Sequence, residues 1–485
     1  MRAHEAGALH ADISASGFGR GPAWLRPPTD VNAIDPLLWS RNARKTDGVL
    51  TVGGVDLRAL AAEHGTPAYV LDVDDLRARA RGFREAFADY DVFYAGKAFL
   101  CTAVVRWLAE EGLNLDVCTG GELTVALRAG LDPARIAFHG NNKSVAELRR
   151  AVDAGVGRIV VDSLTEVERL AAVSADLGRP GAGREPVGVL VRVTAGVEAH
   201  THEYIATAHE DQKFGLSITA GDAMAAVRRV VAAPGLRLLG LHSHIGSQIF
   251  DTSGFEVAAR RVLALHAGIA DELGPRLGTA DHALPELDLG GGFGIAYTRQ
   301  DDPADPADLA AGMTRIVEHE CRALGIAVPR LSIEPGRAVV GPTTCTLYEV
   351  GTVKRVGLDA GGVRRYVSVD GGMSDNVRTA LYDADYSATL TSRASTAEPL
   401  LSRVVGKHCE AGDIVVKDEF LPGDVEPGDL LAVPGTGAYC WSMASNYNHV
   451  LRPPVIAVQD GRATVIVRRE TEADLLATDV GAWNA

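Results

Sequence analysis

The chain has 485 residues, of which 46% are hydrophobic and 23% are charged, a composition typical of a folded protein large enough for two domains. Its formal net charge of -15 argues against a nucleic-acid-binding protein, which normally presents a basic face. Six cysteines without a CxxC pair, and no apolar run long enough to span a bilayer, argue against a zinc knuckle and a membrane protein. The sparse cysteines fit a reducing compartment, so we expect a cytoplasmic protein.

Residues 1–34 are punctuated by glycine and proline and contain no apolar segment of the kind found in secretory signals. We expect them to form an irregular extension. Residues 35–66 include VLTVGGV, which predicts a strand. We expect this segment to join a β domain that is formed mainly by the C-terminal part of the chain.

Short apolar runs alternate with helical patterns from residue 67 to residue 340, as is typical of a parallel sheet. The runs are PAYVLD, DVFYAGKA, LNLDVCTGG, RIAFHGNN, RIVVDS, GVLVRVTAG, LLGLHSHIGS, LDLGGGFG and RLSIEPGR. Eight strands follow the first run, which matches a TIM-type (β/α)8 barrel of the usual size. A doubly wound open sheet is the alternative that periodicity leaves open.

Residues 341–485 have a different texture, with strand patterns joined by turns and few helical segments. The strand patterns are CTLYEVGTVKRV, RRYVSVDGG, DIVVKDEFL, GDLLAVPG and ATVIVRRET. They predict a C-terminal antiparallel β-sandwich or β-barrel domain.

Several reactive side chains follow barrel strands, where barrel enzymes place their chemistry. Lys97 follows VFYAG, and a lysine in this position either forms a covalent bond to a carbonyl group or is an ordinary surface lysine. Gly291 and Gly292 follow the seventh strand, where glycines let main-chain amides approach a phosphate. Glu334 follows the eighth strand and could pair with a ring nitrogen, or it could form a structural pair with Arg337.

Two further clusters contain histidine. His242, His244 and Ser247 lie together after the sixth strand. One of the two histidines could stack on an aromatic cofactor and Ser247 could bind a phosphate, although a structural histidine is the commoner outcome for either histidine alone. A second group resembles a set of metal ligands and consists of His200, His202, Glu203 and His209. Its spacing matches no defined metal motif, so we interpret residues 196–215 as an active-site loop and expect no metal.

The C-terminal domain adds Cys409 and Glu410 in the turn CEAGD, and Tyr439 in the turn TGAYC. A free cysteine beside two carboxylates could donate a proton, or it could be a small buried apolar residue. Tyr439 could bind a phosphate or could simply pack against its neighbours.

Taken together, these segments resemble the fold-type III pyridoxal-phosphate-dependent decarboxylases, and most closely their diaminopimelate decarboxylase branch. The matching stretches are FYAGKAF, LDVCTGGEL, FHGNNKS, EAHTHEYIATAHEDQKFG, GLHSHIGSQ, DLGGGFGIAY, EPGRAVVGP, VSVDGGMSDNVRTALYDADY, VGKHCEAGDI and TGAYCWSMASNYN. They follow one another in the order of the family and extend from about residue 35 to the C-terminus. Ten ordered matches are far more specific than any single motif.

The resemblance implies a homodimer in which each active site is shared across the interface, with pyridoxal 5'-phosphate as the cofactor. It implies that Lys97 carries the cofactor covalently and that Cys409 of the partner donates a proton. The implied cofactor contacts are Lys97, His244, Ser247, Gly291, Gly292, Glu334, Gly336, Arg337 and Tyr439. The implied substrate contacts are Arg337, Arg378, Tyr382, Glu410 and Tyr439.

The implied reaction is decarboxylation of meso-2,6-diaminopimelate to L-lysine and CO2, the last step of lysine biosynthesis. Arg378 favours this substrate, because its guanidinium suits the distal carboxylate and would repel a purely cationic tail. Glu410 could take the distal ammonium group. The alternatives are a decarboxylase of ornithine, arginine or carboxynorspermidine, an amino acid racemase, and a non-catalytic pyridoxal-phosphate carrier.

Overall fold

A computed structural model describes residues 21–22, 24–181, 184–196, 213–244, 246–280, 282–357 and 363–481. The chain divides into two units. The barrel unit consists of Arg77–Gly294 and Pro303–Val339. The β unit consists of the chain up to Leu76, the short segment Ile295–Asp302, and the chain from Val340 onward.

The barrel unit contains a closed ring of parallel strands. Over the described residues the eight strands are Tyr90–Ala95, Asn114–Val117, Ile136–Phe138, Arg158–Val161, Val187–Thr194, Leu236–His242, Glu286–Asp288 and Arg330–Ile333. Each strand pairs with the next, and the eighth pairs with the first, so the sheet closes on itself. The predicted (β/α)8 barrel is therefore confirmed, and the open doubly wound sheet is excluded.

Helices follow the strands in the alternation that the sequence predicts. They are Val73–Ala86, Thr102–Glu110, Gly120–Ala129, Val145–Ala154, Leu164–Asp176, Asp222–Ala232, Ser253–Leu277, Pro306–Leu324 and Arg337–Val340. The helix Val145–Ala154 illustrates how local sequence sets their limits. Ser144 and Glu147 form a capping box at its start, and Gly155 ends it in the left-handed conformation with a φ of 80°.

The β unit is dominated by a large mixed sheet. Its nine described strands are Ala68–Asp72, Thr344–Gly357, Val363–Val369, Thr389–Leu390, Pro399–Val405, Ile414–Pro422, Leu430–Pro434, Val455–Gln459 and Arg462–Val467. Most neighbours are antiparallel, as the sequence predicts. Two pairs are parallel, because Pro399–Val405 runs alongside Val363–Val369 and Val455–Gln459 runs alongside Ala68–Asp72.

The strand Ala68–Asp72 lies in this sheet, although the sequence places the start of the barrel at residue 67. It pairs antiparallel with Thr344–Gly357, so that Leu71 faces Thr344 and Ala68 faces Leu347. A fully buried run of this length is compatible with either a barrel or a sandwich, so periodicity alone does not assign it to one of them.

The segment before this strand forms a small sheet of its own. Strands Ala43–Thr46, Val49–Val52 and Val55–Asp56 pair antiparallel and lead into the helix Leu57–His64. Leu50 and Leu57 are fully buried in one apolar cluster with Leu347 of the large sheet. None of the helices described in either unit has both the length and the apolar character needed to cross a membrane.

Candidate active site

The barrel unit holds most of the reactive side chains that the sequence singled out. They are Lys97, His244, Ser247, Gly291, Gly292, Glu334, Gly336 and Arg337. Each follows the carboxyl end of a barrel strand, and Lys97 stands two residues after the first strand, which ends at Ala95. Because the strands are parallel and closed into a ring, their carboxyl ends meet on one face of the barrel.

Glu334 lies at the centre of the charged groups on this face. Its side chain is 5% exposed, and Oε1 lies 3.2 Å from Nε2 of both His139 and His242. Neither contact is a hydrogen bond, and Oε1 is buried without a hydrogen-bond partner among the described residues. A buried carboxylate oxygen without a hydrogen-bond partner has lost its hydration and gained nothing in its place. It can therefore accept a hydrogen bond from a ligand.

The electrostatic environment keeps these groups close to neutral. Burial raises the pKa of Glu334 to about 7, and the positive charge of Lys97 partly opposes this rise. Burial lowers the pKa of His242 to about 4 and that of His139 well below its usual value. Both imidazoles are therefore neutral near pH 7, and the charge of Lys97 acts directly on Glu334.

Glu334 and its two histidine neighbours also have the composition of a metal site, because one ligand atom from each of His139, His242 and Glu334 lies within 4.8 Å of the others. A further carboxyl group, that of Asp116, lies beside this triad. Nε2 of His139 also lies 3.6 Å from Oδ1 of Asp116, whose pKa is raised well above its usual value by burial and by the charge of Glu334.

The glycines after the seventh strand bring the main chain close to its neighbours. A Cβ atom on Gly291 would lie 2.2 Å from the carbonyl oxygen of Glu334, so a larger residue cannot be accommodated there. Gly292 has a φ of +106°, which favours glycine, and its Cβ would lie 2.4 Å from the carbonyl oxygen of Gly246. These glycines therefore let the main chain after the seventh strand pack closely against the main chain at Glu334 and Gly246.

Two hydrogen bonds bring the predicted cofactor contacts together near Gly291 and Gly292. Nη2 of Arg337 donates to Oγ of Ser247 over 2.7 Å. The main-chain N–H of Gly291 donates to Nδ1 of His244 over 3.2 Å. Burial, together with the charge of Lys97, lowers the pKa of His244 well below its usual value, so this imidazole is neutral and able to accept.

The other predicted site residues belong to the β unit. Arg378 begins the short helix Arg378–Tyr382 and is 6% exposed, whereas Tyr382 at its end is half-buried. Among the described residues, no carboxylate forms an ion pair with Arg378, and its Nε atom is buried without a hydrogen-bond partner. A buried guanidinium in this state is a strong candidate for binding an anion.

The turn that carries Cys409 and Glu410 is held by its main chain, while both side chains are exposed. The N–H of Cys409 donates to Oδ1 of Asn448 over 3.2 Å. One residue earlier, the N–H of His408 donates to Oδ2 of Asp413 over 2.8 Å. The thiol is therefore presented outward on a fixed turn, which excludes the interpretation of Cys409 as a small buried residue.

Tyr439 is half-buried and has a φ of 63°, an unusual conformation for a residue with a side chain. Such a conformation persists only where the surrounding structure imposes it, and it is enriched at binding sites.

Sequence reasoning did not assign a role to four residues in these clusters. His139 directly follows the third barrel strand and Asp116 lies near the end of the second, so their position at strand ends was the available signal. Tyr297 and Tyr386 lie inside the stretches DLGGGFGIAY and DNVRTALYDADY, but nothing local distinguishes them from packing residues. The metal-like group at residues 200–209 lies outside the described residues.

Comparisons with known proteins agree with this geometry. Residues 73–341 match the family model described as "Pyridoxal-dependent decarboxylase, pyridoxal binding domain". The chain is 58% identical over 449 residues to a diaminopimelate decarboxylase of Mycobacterium tuberculosis, covering 92% of this chain and 98% of that protein. It is 55% identical over 482 residues to a diaminopimelate decarboxylase of Mycobacterium leprae, covering 99% and 100% of the two chains.

A solved structure gives the same picture in three dimensions. The M. jannaschii diaminopimelate decarboxylase in complex with L-lysine superposes with a TM-score of 0.82 and 30% sequence identity. The match covers 91% of this chain and 98% of that one, so the likeness includes both units.

Proposed function

The chain belongs to the diaminopimelate decarboxylases within the pyridoxal-dependent decarboxylase family, and from this premise we propose how its residues carry out the reaction. The protein removes CO2 from meso-2,6-diaminopimelate to give L-lysine, with pyridoxal 5'-phosphate as its cofactor. The observation that carries the residue assignments is the buried Oε1 of Glu334, which has no hydrogen-bond partner while the charge of Lys97 acts on the same carboxyl.

The groups on the barrel fit pyridoxal phosphate. Lys97 holds the cofactor covalently through its amine, and His244 stacks on the ring. The phosphate is bound by Ser247, Gly291, Gly292, Gly336 and Arg337, with Tyr439 as a further contact. The Arg337–Ser247 hydrogen bond supports this assignment, because it brings a guanidinium and a hydroxyl together. The glycines after the seventh strand support it as well, because they allow close approach of the main chain.

When bound, the cofactor supplies an electron sink for the bond that loses CO2. Glu334 keeps a proton on the ring nitrogen, because its Oε1 accepts a hydrogen bond from the protonated nitrogen and a carboxylate stabilises the positive charge. His139 and His242 approach the same oxygen as neutral imidazoles, so neither adds a positive charge that would compete with the ring.

The substrate is recognised by its second amino acid head. Arg378 binds the distal carboxylate with help from Tyr382, Arg337 and Tyr439, and Glu410 binds the distal ammonium group. The support for Arg378 is its burial without a carboxylate partner among the described residues, since an anionic ligand would relieve the cost of that charge.

Cys409 returns a proton to the carbon that has lost CO2. We assign this thiol, with Glu410, to the active site of a second copy of the chain, so that the enzyme is a homodimer with shared sites. The exposed thiol on a turn held by main-chain hydrogen bonds supports this assignment, since a proton donor must reach the reacting carbon.

The cofactor assignment is tested with Lys97→Ala. We expect the purified wild-type protein to be yellow from covalently held pyridoxal phosphate, and the variant to lose both the colour and turnover. Lys143→Met is not a suitable control, because Lys143 is buried in an ion pair with Glu166, whereas the exposed Lys354→Met is expected to keep both properties. A Lys97→Ala protein that stays yellow and active would contradict the assignment.

The shared site is tested by mixing Lys97→Ala and Cys409→Ala subunits, each inactive alone. Random reassociation makes half of the dimers hybrids, and each hybrid has one intact site, so we expect about a quarter of wild-type activity. No recovery in verified hybrids would contradict the delivery of Cys409 by the partner.

A further inference from the structure

The guanidinium of Arg378 is held by two tyrosines of the β unit. Its Nη1 donates a hydrogen bond to the hydroxyl of Tyr386 over 2.6 Å. Its central carbon lies 4.6 Å from the centre of the Tyr297 ring, within the range of a cation–π contact. The two rings also contact each other edge to face, with centres 5.1 Å apart and an angle of 73°.

The contacts of the guanidinium satisfy one nitrogen and leave another without a hydrogen-bond partner among the described residues. Nη1 is used by Tyr386, while the buried Nε has no hydrogen-bond partner among the described residues. Nε and Nη2 lie on the same side of an arginine side chain, and their two parallel N–H groups form the edge that binds a carboxylate in a bidentate manner. The tyrosine hydroxyl therefore occupies the one nitrogen that this mode of binding does not need.

The tyrosines are themselves held in place. Tyr386 is 2% exposed, and its hydroxyl also lies 3.7 Å from Sγ of Cys440. The main-chain N–H of Tyr297 donates to Oδ2 of Asp301 over 2.9 Å. A Cβ on Gly435 would lie only 3.2 Å from the Tyr297 ring, so that glycine allows the ring its position.

The arginine carries its charge without a carboxylate partner among the described residues. Burial lowers the pKa of Arg378, but its contacts with Tyr297 and Tyr386 outweigh burial, so the pKa is raised overall. A buried cation is usually stabilised by a carboxylate. Here a ring face and a neutral hydroxyl replace it, which leaves the positive charge available to a ligand.

We propose that Tyr297 and Tyr386 are positioning residues that fix the Nε–Nη2 edge of Arg378 for the distal carboxylate of the substrate. The pair thereby sets selectivity for ligands that carry this carboxylate. The inference rests on the proposed role of Arg378 as the distal carboxylate contact and extends it to two residues that do not touch the reacting atoms.

The test uses the cofactor-loaded full-length enzyme and two competitive ligands. L-lysine keeps the distal carboxylate of diaminopimelate, and cadaverine lacks it. For Tyr386→Phe, which removes only the hydroxyl, we expect KM for diaminopimelate and Ki for L-lysine to rise roughly tenfold, as for the loss of one hydrogen bond to a charged group. The value of kcat and Ki for cadaverine should change by less than about twofold.

Tyr297 provides a second, independent test with a matched control. Tyr297→Leu removes the ring face and should give the same pattern, whereas Tyr297→Phe keeps the ring and should be close to wild type. Tyr90→Phe controls for the loss of a buried hydroxyl elsewhere, because Tyr90 contacts Thr314 over 3.1 Å in the barrel unit. If Tyr386→Phe yields no folded, yellow protein, the Tyr297 pair decides the outcome.

Arg378→Gln separates this inference from the proposed function. If Arg378→Gln still binds L-lysine as well as wild type, the proposed role of Arg378 fails. If Arg378→Gln loses L-lysine but both tyrosine variants bind it normally, the positioning role is overturned while the role of Arg378 stands. A fall in kcat at unchanged KM, with both ligands bound normally, would also overturn the positioning role.

Discussion

The carboxyl groups of Glu334 in the barrel unit and Asp375 in the β unit are both buried, and burial raises the pKa of each to about 7. Their hydrogen bonds are different. Asp375 accepts the hydroxyl of Tyr348 at Oδ1 and the main-chain N–H of Gly372 at Oδ2, the latter over 2.8 Å. Both of its oxygens have a donor.

Oε1 of Glu334 has no hydrogen-bond donor among the described residues, even though two imidazole nitrogens lie 3.2 Å away. Burial and a raised pKa are therefore shared by a structural carboxyl and a candidate functional one. What distinguishes them is a missing donor, because a fold seldom buries a polar atom without a partner unless a ligand supplies one.

The largest expected effect comes from Glu334→Gln, which keeps the shape of the side chain and removes its charge. We expect kcat to fall about a thousandfold while the fold is kept, because the ring nitrogen loses the carboxylate that holds its proton. Steady-state kinetics of the cofactor-saturated enzyme measure this.

Glu419→Gln is the matched control in the β unit. Burial raises the pKa of Glu419 to about 7 as well, but its oxygens accept the N–H groups of Ala388 and Phe420, over 3.2 and 2.9 Å. We expect little change in kcat per folded molecule. Equal losses in the two variants would remove the distinction between a satisfied and an unsatisfied carboxyl.

Asp375→Ala should affect stability rather than chemistry. It leaves the hydroxyl of Tyr348 and the N–H of Gly372 without an acceptor, and we expect the free energy of unfolding to fall by about 4 kcal/mol, at about 2 kcal/mol for each orphaned donor. Urea denaturation measures this, and kcat per folded molecule should change by only a few-fold.

Tyr348→Phe is a milder variant at the same hydrogen bond. It removes one hydroxyl and should lower the free energy of unfolding by about 1 kcal/mol. If either variant lost kcat as severely as Glu334→Gln while remaining folded, Asp375 would have to be counted with the functional carboxyls.

A pH series compares the two carboxyl groups without any substitution. The folded protein holds the proton of Glu334 to about pH 7, against an ordinary value of 4.5. The resulting stability is fully present below pH 4.5 and is lost as the pH rises to 7, which amounts to about 3 kcal/mol in the cofactor-free protein. Asp375 contributes in the same direction, from 3.8 to about 7.

Cofactor binding should separate the two contributions. A protonated ring nitrogen favours the carboxylate form of Glu334, so its part of the pH dependence should disappear in the loaded enzyme and in Glu334→Gln, while the part from Asp375 remains. Chemical denaturation from pH 4.5 to pH 7 measures both. An identical profile with and without cofactor would contradict the assignment of Glu334 to the ring.

Much of the barrel could be predicted from local sequence. Each strand is a short buried run followed by a helix, and some of these helices have a capping residue and a stop, as with Ser144 and Gly155, so the eight repeats can be counted along the chain. Lys97, Gly291 and Glu334 were found for the same reason, because their position just after a strand is a local property.

The β unit was less predictable. The strands Pro399–Val405 and Val455–Gln459 were missed, and Ala68–Asp72 was placed in the barrel. The strand Ala68–Asp72 is fully buried. It pairs with Thr344–Gly357 and Val455–Gln459, which lie hundreds of residues away in the chain, so its local pattern does not identify its neighbours.

The amino-acid sequence thus determined the order of the barrel strands, the helices between them and the residue types at the strand ends. The tertiary structure decided which side chains converge, since His139 and His242 reach Glu334 only when strands three, six and eight close into one ring. It also decided that Tyr297 faces Arg378 across about 80 residues of chain. Pattern and capping act within a few residues, whereas these contacts depend on strand pairing and packing between distant segments.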